Sequence, residues 1–164
     1  MVTARLFAAA CVFSFACGGG VTFARASDDE DGEKLPFYAS TRSDKVNVRT
    51  GPNVRYPIRW VYKRKYWPVK VTSEFEHWYK ISDALGDVGW VHKTLVTGKR
   101  YVVVAGEAPA PAYDNPEAEK RPAFLMEPGV VAKLEEEGCA GDWCAVDADG
   151  YRGWTSASAL WGAR

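Results

Sequence analysis

Groups that do chemistry are scarce in this chain. Its 164 residues hold two histidines and four cysteines. Cys11 and Cys17 lie in an N-terminal apolar segment, and Cys139 and Cys144 form one close pair. A catalytic thiolate needs a free cysteine in an activating setting, and a paired one is inert. There is no Gly-x-Ser-x-Gly elbow and no Gly-rich loop leading into a helix to cradle phosphate. A zinc site would want His77 and His92 together with a carboxylate such as Glu76 or Asp87, converging from separate loops. Their spacing carries no such signature, and both histidines read as partly exposed surface residues. The acidic runs Asp28 to Asp31 and Glu135 to Glu137 read as solvated charge. The sequence thus names no catalytic residue, no metal and no cofactor, and an enzyme is disfavoured.

Long apolar runs are missing too. Leu6 to Ala16 is apolar but too short to span a bilayer as a helix. Arg5 precedes it and Ala24-Arg25-Ala26 follows, the small-x-small pattern of a cleaved secretory signal. Residues 1–26 are therefore read as a signal peptide cut between Ala26 and Ser27, giving a periplasmic or secreted protein with no transmembrane segment after cleavage. An alternative junction at Ala16-Cys17 would leave the chain lipid-anchored through Cys17. In an oxidising compartment Cys139 and Cys144 are expected to pair. Residues 27–36 are acidic, nearly free of apolar side chains, and read as disordered.

Net charge is absent overall, yet the halves differ. Residues 37–106 hold 13 Lys/Arg against 5 Asp/Glu, whereas residues 107–164 hold 5 against 11. Such asymmetry bears on partners rather than on fold. Export argues against nucleic acid as the partner of the basic half.

What is present is a run of short strands. Val46 and Val48 alternate with polar neighbours before Gly51-Pro52 breaks the pattern. Ile58 to Tyr62, Val69 to Thr72, Trp78 to Ile81 and Val88 to Val91 follow, with Phe37 to Ser40 as a strand ahead of them. Short strands at this density, with no amphipathic helix between, predict an all-β fold of the small-barrel kind. Val-Arg-Thr-Gly-Pro (48–52), Tyr56-Pro57-Ile58, Trp78-Tyr79-Lys80-Ile81 and Gly89-Trp90-Val91-His92 occur in order. Through these residues the chain resembles the bacterial SH3-like family. The turn after Ile58 to Tyr62 departs from the family pattern: Lys63-Arg64-Lys65-Tyr66-Trp67-Pro68 stands where many members have Gly.

A second, degenerate copy follows. A shift of 65 positions places Pro57 on Pro122, Val48 on Tyr113 and Trp78 on Trp143, and one deletion brings Gly89-Trp90 onto Gly153-Trp154. Asp149-Gly150 is a two-residue hairpin signal, because both central positions of a type I′ turn need φ > 0. The expected architecture is two tandem SH3-like β-barrels, residues 37–104 and 123–164. Lys99 to Val104 is read as the closing strand of the first. Residues 105–122 are read as a Pro-rich linker, which would hold the units apart, or as the entry strand of the second unit.

The resemblance implies a binding module rather than a catalyst, since bacterial SH3-like modules attach to the cell envelope and relatives bind peptidoglycan peptides. The candidate ligand patch is basic and aromatic: Arg55, Tyr56, Arg59, Lys63, Arg64, Lys65, Tyr66 and Trp67. Aromatics beside Arg and Lys recognise extended peptides, anionic groups or sugar faces. The rival reading is an adaptor that docks an acidic envelope protein. Cleavage after Ala26 predicts a secreted species whose intact mass begins at Ser27. A diacylated species beginning at Cys17 would overturn that assignment.

Overall fold

The computed structural model describes residues 34–116 and 121–164. The signal segment, the Ala26–Ser27 junction, Cys17 and most of the acidic stretch lie outside the described residues.

The first repeat is a seven-stranded antiparallel sheet: β1 (Phe37–Thr41), β2 (Val46–Arg49), β3 (Ile58–Tyr62), β4 (Pro68–Phe75), β5 (Trp78–Ser82), β6 (Val88–His92) and β7 (Val96–Thr97). Its spatial order is β3-β2-β6-β5-β4-β1-β7, which leaves β3 and β7 as the two ends. Period-2 alternation decides what is buried. Val46, Val48, Val69, Val71, Ile81 and Val91 close a core with Ala39 and Val96. Gly89 is required where β6 crosses β2, because a Cβ there would overlap the Val48 side chain.

The second repeat comprises β8 (Tyr101–Val104), β9 (Ala110–Ala112), β10 (Phe124–Met126), β11 (Val131–Ala140), β12 (Trp143–Ala148), β13 (Tyr151–Ser156) and β14 (Leu160–Trp161). One sheet runs β13-β12-β11-β8-β14 and a smaller one pairs β10 with β9. The bridge between Tyr113 and Trp154 joins them. Strand for strand, this reproduces the order of the first repeat. Its core is lighter, built on Val102, Val104, Ala110, Ala112, Met126 and Val146. Smaller side chains bury less apolar area and so stabilise less.

Three sequence expectations change. Tyr101–Val104 does not close the first sheet; β8 pairs with β11 and β14 in the second. The join between the sheets is therefore only Gly98-Lys99-Arg100, so the linker reading of residues 105–122 gives way: the Pro-rich stretch lies inside the second repeat, where it supplies β9. Finally, Arg49 pairs with Trp90 as Tyr113 bridges to Trp154. The offset there is 64, so Val48 corresponds to buried Ala112 and not to Tyr113.

The two repeats meet along an aromatic seam within one compact body, Glu33–Arg164. The seam is pseudo-symmetric. Tyr38, paired with Lys70 across the ladder, reaches the Trp161 ring edge-to-face at 5.3 Å. Tyr101, paired with Lys133, stacks on Tyr66 at 4.4 Å with the rings nearly parallel. Arg100 Nη2 donates to the carbonyl oxygen of Gly162 at 2.7 Å, and its guanidinium lies 5.7 Å from the Tyr38 ring centre.

Cys139 and Cys144 sit opposite each other on β11 and β12, 4.0 Å apart at Cα, and are joined by a disulfide. Between Leu134 and Cys139 the register shifts, so Glu135, Glu136, Glu137 and Gly138 bulge from the ladder. The disulfide re-fastens the hairpin beyond this bulge. Replacing both cysteines by serine is expected to lower stability by about 2 kcal/mol, from the chain entropy of a six-residue loop. Chemical denaturation of the two proteins side by side measures it, and equal midpoints would refute the assignment.

Candidate functional site

The basic patch gathers along one edge of the first sheet. End strand β3 pairs only with β2, so its outer row of backbone donors and acceptors has no ladder partner. At its start, the loop 50–57 is held by local bonds. Arg49 Nη1 donates to the Tyr56 carbonyl at 2.7 Å, and the Asn53 side-chain oxygen accepts from the Arg55 amide at 3.0 Å. The Tyr56 ring lies against Gly51, its carbons 2.7 Å from where a Cβ would stand, so any larger residue would displace it. This leaves Arg55 exposed and Tyr56 47% exposed beside Ile58. Arg59 Nη1 donates to the Val88 carbonyl at 2.9 Å while its guanidinium lies over Trp60.

At the far end of β3 the turn 63–67 carries Lys63, Arg64 and Lys65, all exposed. Buried Thr41 organises it. The Tyr66 amide donates to the Thr41 carbonyl and the Thr41 amide donates to the Trp67 carbonyl, both at 2.9 Å. Thr41 Oγ1 donates to the Arg64 carbonyl at 3.1 Å and accepts from the Trp67 amide at 2.9 Å. Tyr66 sits at φ 62°, in the left-handed region that favours Gly.

The two aromatics read from the sequence as contact residues are engaged within the protein. Trp67 packs on the first core and stacks with Tyr62 at 6.1 Å. Its indole Nε1 is buried without a hydrogen-bond partner among the described residues. Tyr66 stacks on Tyr101 across the seam, with Lys65 Nζ 4.9 Å and Lys99 Nζ 5.6 Å from its ring centre. The hydrogen bond with Lys65 comes first among the causes that pull the Tyr66 phenol below its ordinary range. Tyr62 is pushed the other way, by burial first and then by its 2.9 Å hydrogen bond to the Asp83 carboxylate. Of the aromatics in the patch, Tyr56 is the one that remains exposed.

No ion pair engages Arg55, Arg59, Lys63, Arg64 or Lys65 among the described residues. The pairs present, Lys93–Glu74, Lys133–Glu135, Arg152–Asp147 and Arg164–Asp142, lie elsewhere and each within one repeat. The opposite charges of the halves are thus not spent on docking one repeat to the other.

His77 and His92 do come together, their rings 6.2 Å apart. His92 Nδ1 is 2.8 Å from Thr94 Oγ1 and caps the short 3-10 turn Lys93–Leu95. Among the described residues no three of His, Cys, Asp and Glu are placed to share a metal ion. No helix among them is long and apolar enough to cross a membrane. What the sequence did not reveal is a cleft of about 460 Å³ beside the seam, lined by Tyr38 and by residues near the chain's C-terminal end. The signal for it was the matched position of Tyr38 and Tyr101 at the starts of β1 and β8. It is invisible while Tyr101 is assigned to the first repeat.

Fold and site define a tandem SH3-like protein with a charged sheet edge. The family model for the bacterial SH3 domain matches twice, over residues 42–98 and 106–162, and the chain belongs to that family. β1 and β8, which precede the two matched spans, each complete the sheet that follows. No curated protein matches. Among solved structures the chain is similar to NlpC2 and NlpC1 from Trichomonas vaginalis. Both are 10% identical with a TM-score of 0.35; 79% of this chain is covered, against 49% and 46% of theirs. The chain spans about half the length of those structures.

Because Trp67 is packed on the core, Trp67→Ala is expected to destabilise the protein by about 3 kcal/mol, as large-to-small core changes do. Thermal or urea unfolding tests it. A variant as stable as the parent would return Trp67 to the surface.

Proposed function

We propose that this protein is a non-catalytic binding module of the cell envelope, periplasmic or secreted, that takes an extended anionic peptide of the peptidoglycan type along β3. The observation that carries the reading is the group of five cations without acidic partners, set along an end strand with an open edge. An extended peptide can add to such an edge through main-chain hydrogen bonds. Arg59 and Lys63 are four residues apart, about 13 Å along a strand. Carboxylates on the ligand would therefore meet positive charge at both ends of β3, with Arg55 and Tyr56 beside the first contact. Membership in the bacterial SH3 family supports the envelope as the place of action.

Exposed ion pairs contribute about 1 kcal/mol or less each and are screened beyond about 8 Å at physiological salt. Binding by this edge must then be cumulative and salt-sensitive. The same cations favour a second reading, an adaptor that docks an acidic envelope protein.

Arg55→Glu, Lys63→Glu and Arg64→Glu together change only exposed side chains of the basic edge. The triple variant is expected to bind purified cell-wall sacculi at least tenfold more weakly than the parent in a sedimentation assay, about 1.4 kcal/mol. Circular dichroism checks that it folds. Binding equal to the parent overturns the edge as the site. Failure of the parent to sediment, with capture of one acidic envelope protein instead, decides for the adaptor.

A further inference from the structure

A cleft with no β3 residue in its lining lies where the first repeat meets the end of the second. One wall is Tyr38 from β1. The opposite wall runs from Ser156 and Ser158 through Trp161, with Asp142 and Arg164 at the rim. Its volume of about 460 Å³ falls inside the ~300–1,000 Å³ typical of small-molecule sites. Neither repeat makes it alone, since Tyr38 comes from one and every other polar liner from the other.

The lining chemistry is specific. Tyr38 and Trp161 stand edge-to-face, 88° apart in plane. Neither the Tyr38 hydroxyl nor the Trp161 indole N–H has a protein hydrogen-bond partner among the described residues. Ser156 Oγ and Ser158 Oγ are 2.8 Å apart, and the Ser158 amide donates to Ser156 Oγ. One of the two hydroxyls donates to the other, so the pair still offers one hydroxyl hydrogen. In the first repeat the place of Ser156 is taken by His92, whose ring reaches Trp78 at 5.4 Å. A serine leaves that reach unfilled. At the rim, Arg164 Nη2 pairs with the Asp142 carboxylate at 3.0 Å, so the two charged side chains of the lining offset each other. The wall is also set in place from behind, because Arg100 holds the Gly162 and Ala163 carbonyls.

Two aromatic rings with free polar tips, paired hydroxyls and a charge-balanced rim suit a neutral ligand rich in hydroxyl groups. They do not suit an anion or an apolar chain. We propose that this cleft is a saccharide subsite, built jointly by the two repeats, for one or two uncharged sugar residues. It stands independently of the peptide reading of β3, and the two fail separately.

The test is titration of the full chain with N,N′-diacetylchitobiose, a neutral β-linked disaccharide, followed in amide nitrogen–proton correlation spectra. The expected result is saturable movement of the Trp161 indole signal and the Ser156 and Ser158 amides, with a dissociation constant on the order of 1–10 mM. Trp161→Ala should abolish it. If that variant does not fold, Tyr38→Phe with Ser158→Ala removes two hydroxyls only and should weaken binding several-fold. The Arg55→Glu, Lys63→Glu, Arg64→Glu protein should titrate like the parent. No movement at saturating sugar overturns the proposal. So do shifts confined to other surfaces, wild-type affinity in the double hydroxyl variant, or loss of sugar binding in the β3 variant.

Discussion

The arrangement depends on four hydrogen bonds made by one buried threonine. Thr41, 1% exposed, uses its amide, its carbonyl and its hydroxyl on the turn 63–67. A non-glycine residue in the left-handed region costs on the order of 1 kcal/mol or more and persists only where its surroundings fix it. Here the fixing groups are named: Tyr66 donates to Thr41, and Trp67 on the next position both donates to it and accepts from it. With the turn held, Trp67 points into the first core and Tyr66 is presented to Tyr101. Lys63, Arg64 and Lys65 are left outside. Core, seam and basic edge are therefore set by the same few atoms.

The seam explains how the repeats stay together without charge pairing. Aromatic contacts replace ion pairs, with Tyr66 stacked on Tyr101 and Tyr38 edge-to-face with Trp161. A join of only Gly98-Lys99-Arg100 keeps the effective concentration of one repeat near the other high. Modest aromatic contacts, each worth roughly 0.5–1.5 kcal/mol beyond area burial, then suffice to define an orientation. The lighter second core draws on local fastening instead. The disulfide closes β11 onto β12, and the Thr155 hydroxyl donates to the Pro111 carbonyl at 2.8 Å, tying β13 to β9.

Much of this was legible in the sequence. β3 was expected at Ile58 to Tyr62 and lies there; β4, β5 and β6 begin where Val69, Trp78 and Val88 placed them, within a residue. Alternation and the Gly and Pro breakers are local signals, so short strands announce themselves. Pairing is not local. Tyr101-Val102-Val103-Val104 has the pattern of a strand in either sheet, and only its pairing with β11 and β14 assigns it to the second. The repeat offset was off by one near Tyr113 for a related reason: Arg-Thr-Gly-Pro has no counterpart to fix the register. In the site, exposed cations follow from turn and edge positions. The fate of Trp67 does not, because a residue just after a turn can face either way until Thr41 is known to hold it.

That one reversal changes how the surface works. With Trp67 inward, the basic edge offers five charges and a single exposed ring, Tyr56, flattened on Gly51. Such a surface has little apolar area to desolvate, so in the peptide reading proposed above any affinity would come mainly from charge and from the open strand edge. The aromatic pair that keeps its polar tips without protein partners among the described residues is instead Tyr38 and Trp161, in the cleft lining. Charge and aromaticity are thus divided between two surfaces. The division exists because the repeats are packed through β1 and β8: those strands place Tyr38 and Tyr101 at equal positions, and each reaches an aromatic ring of the other repeat.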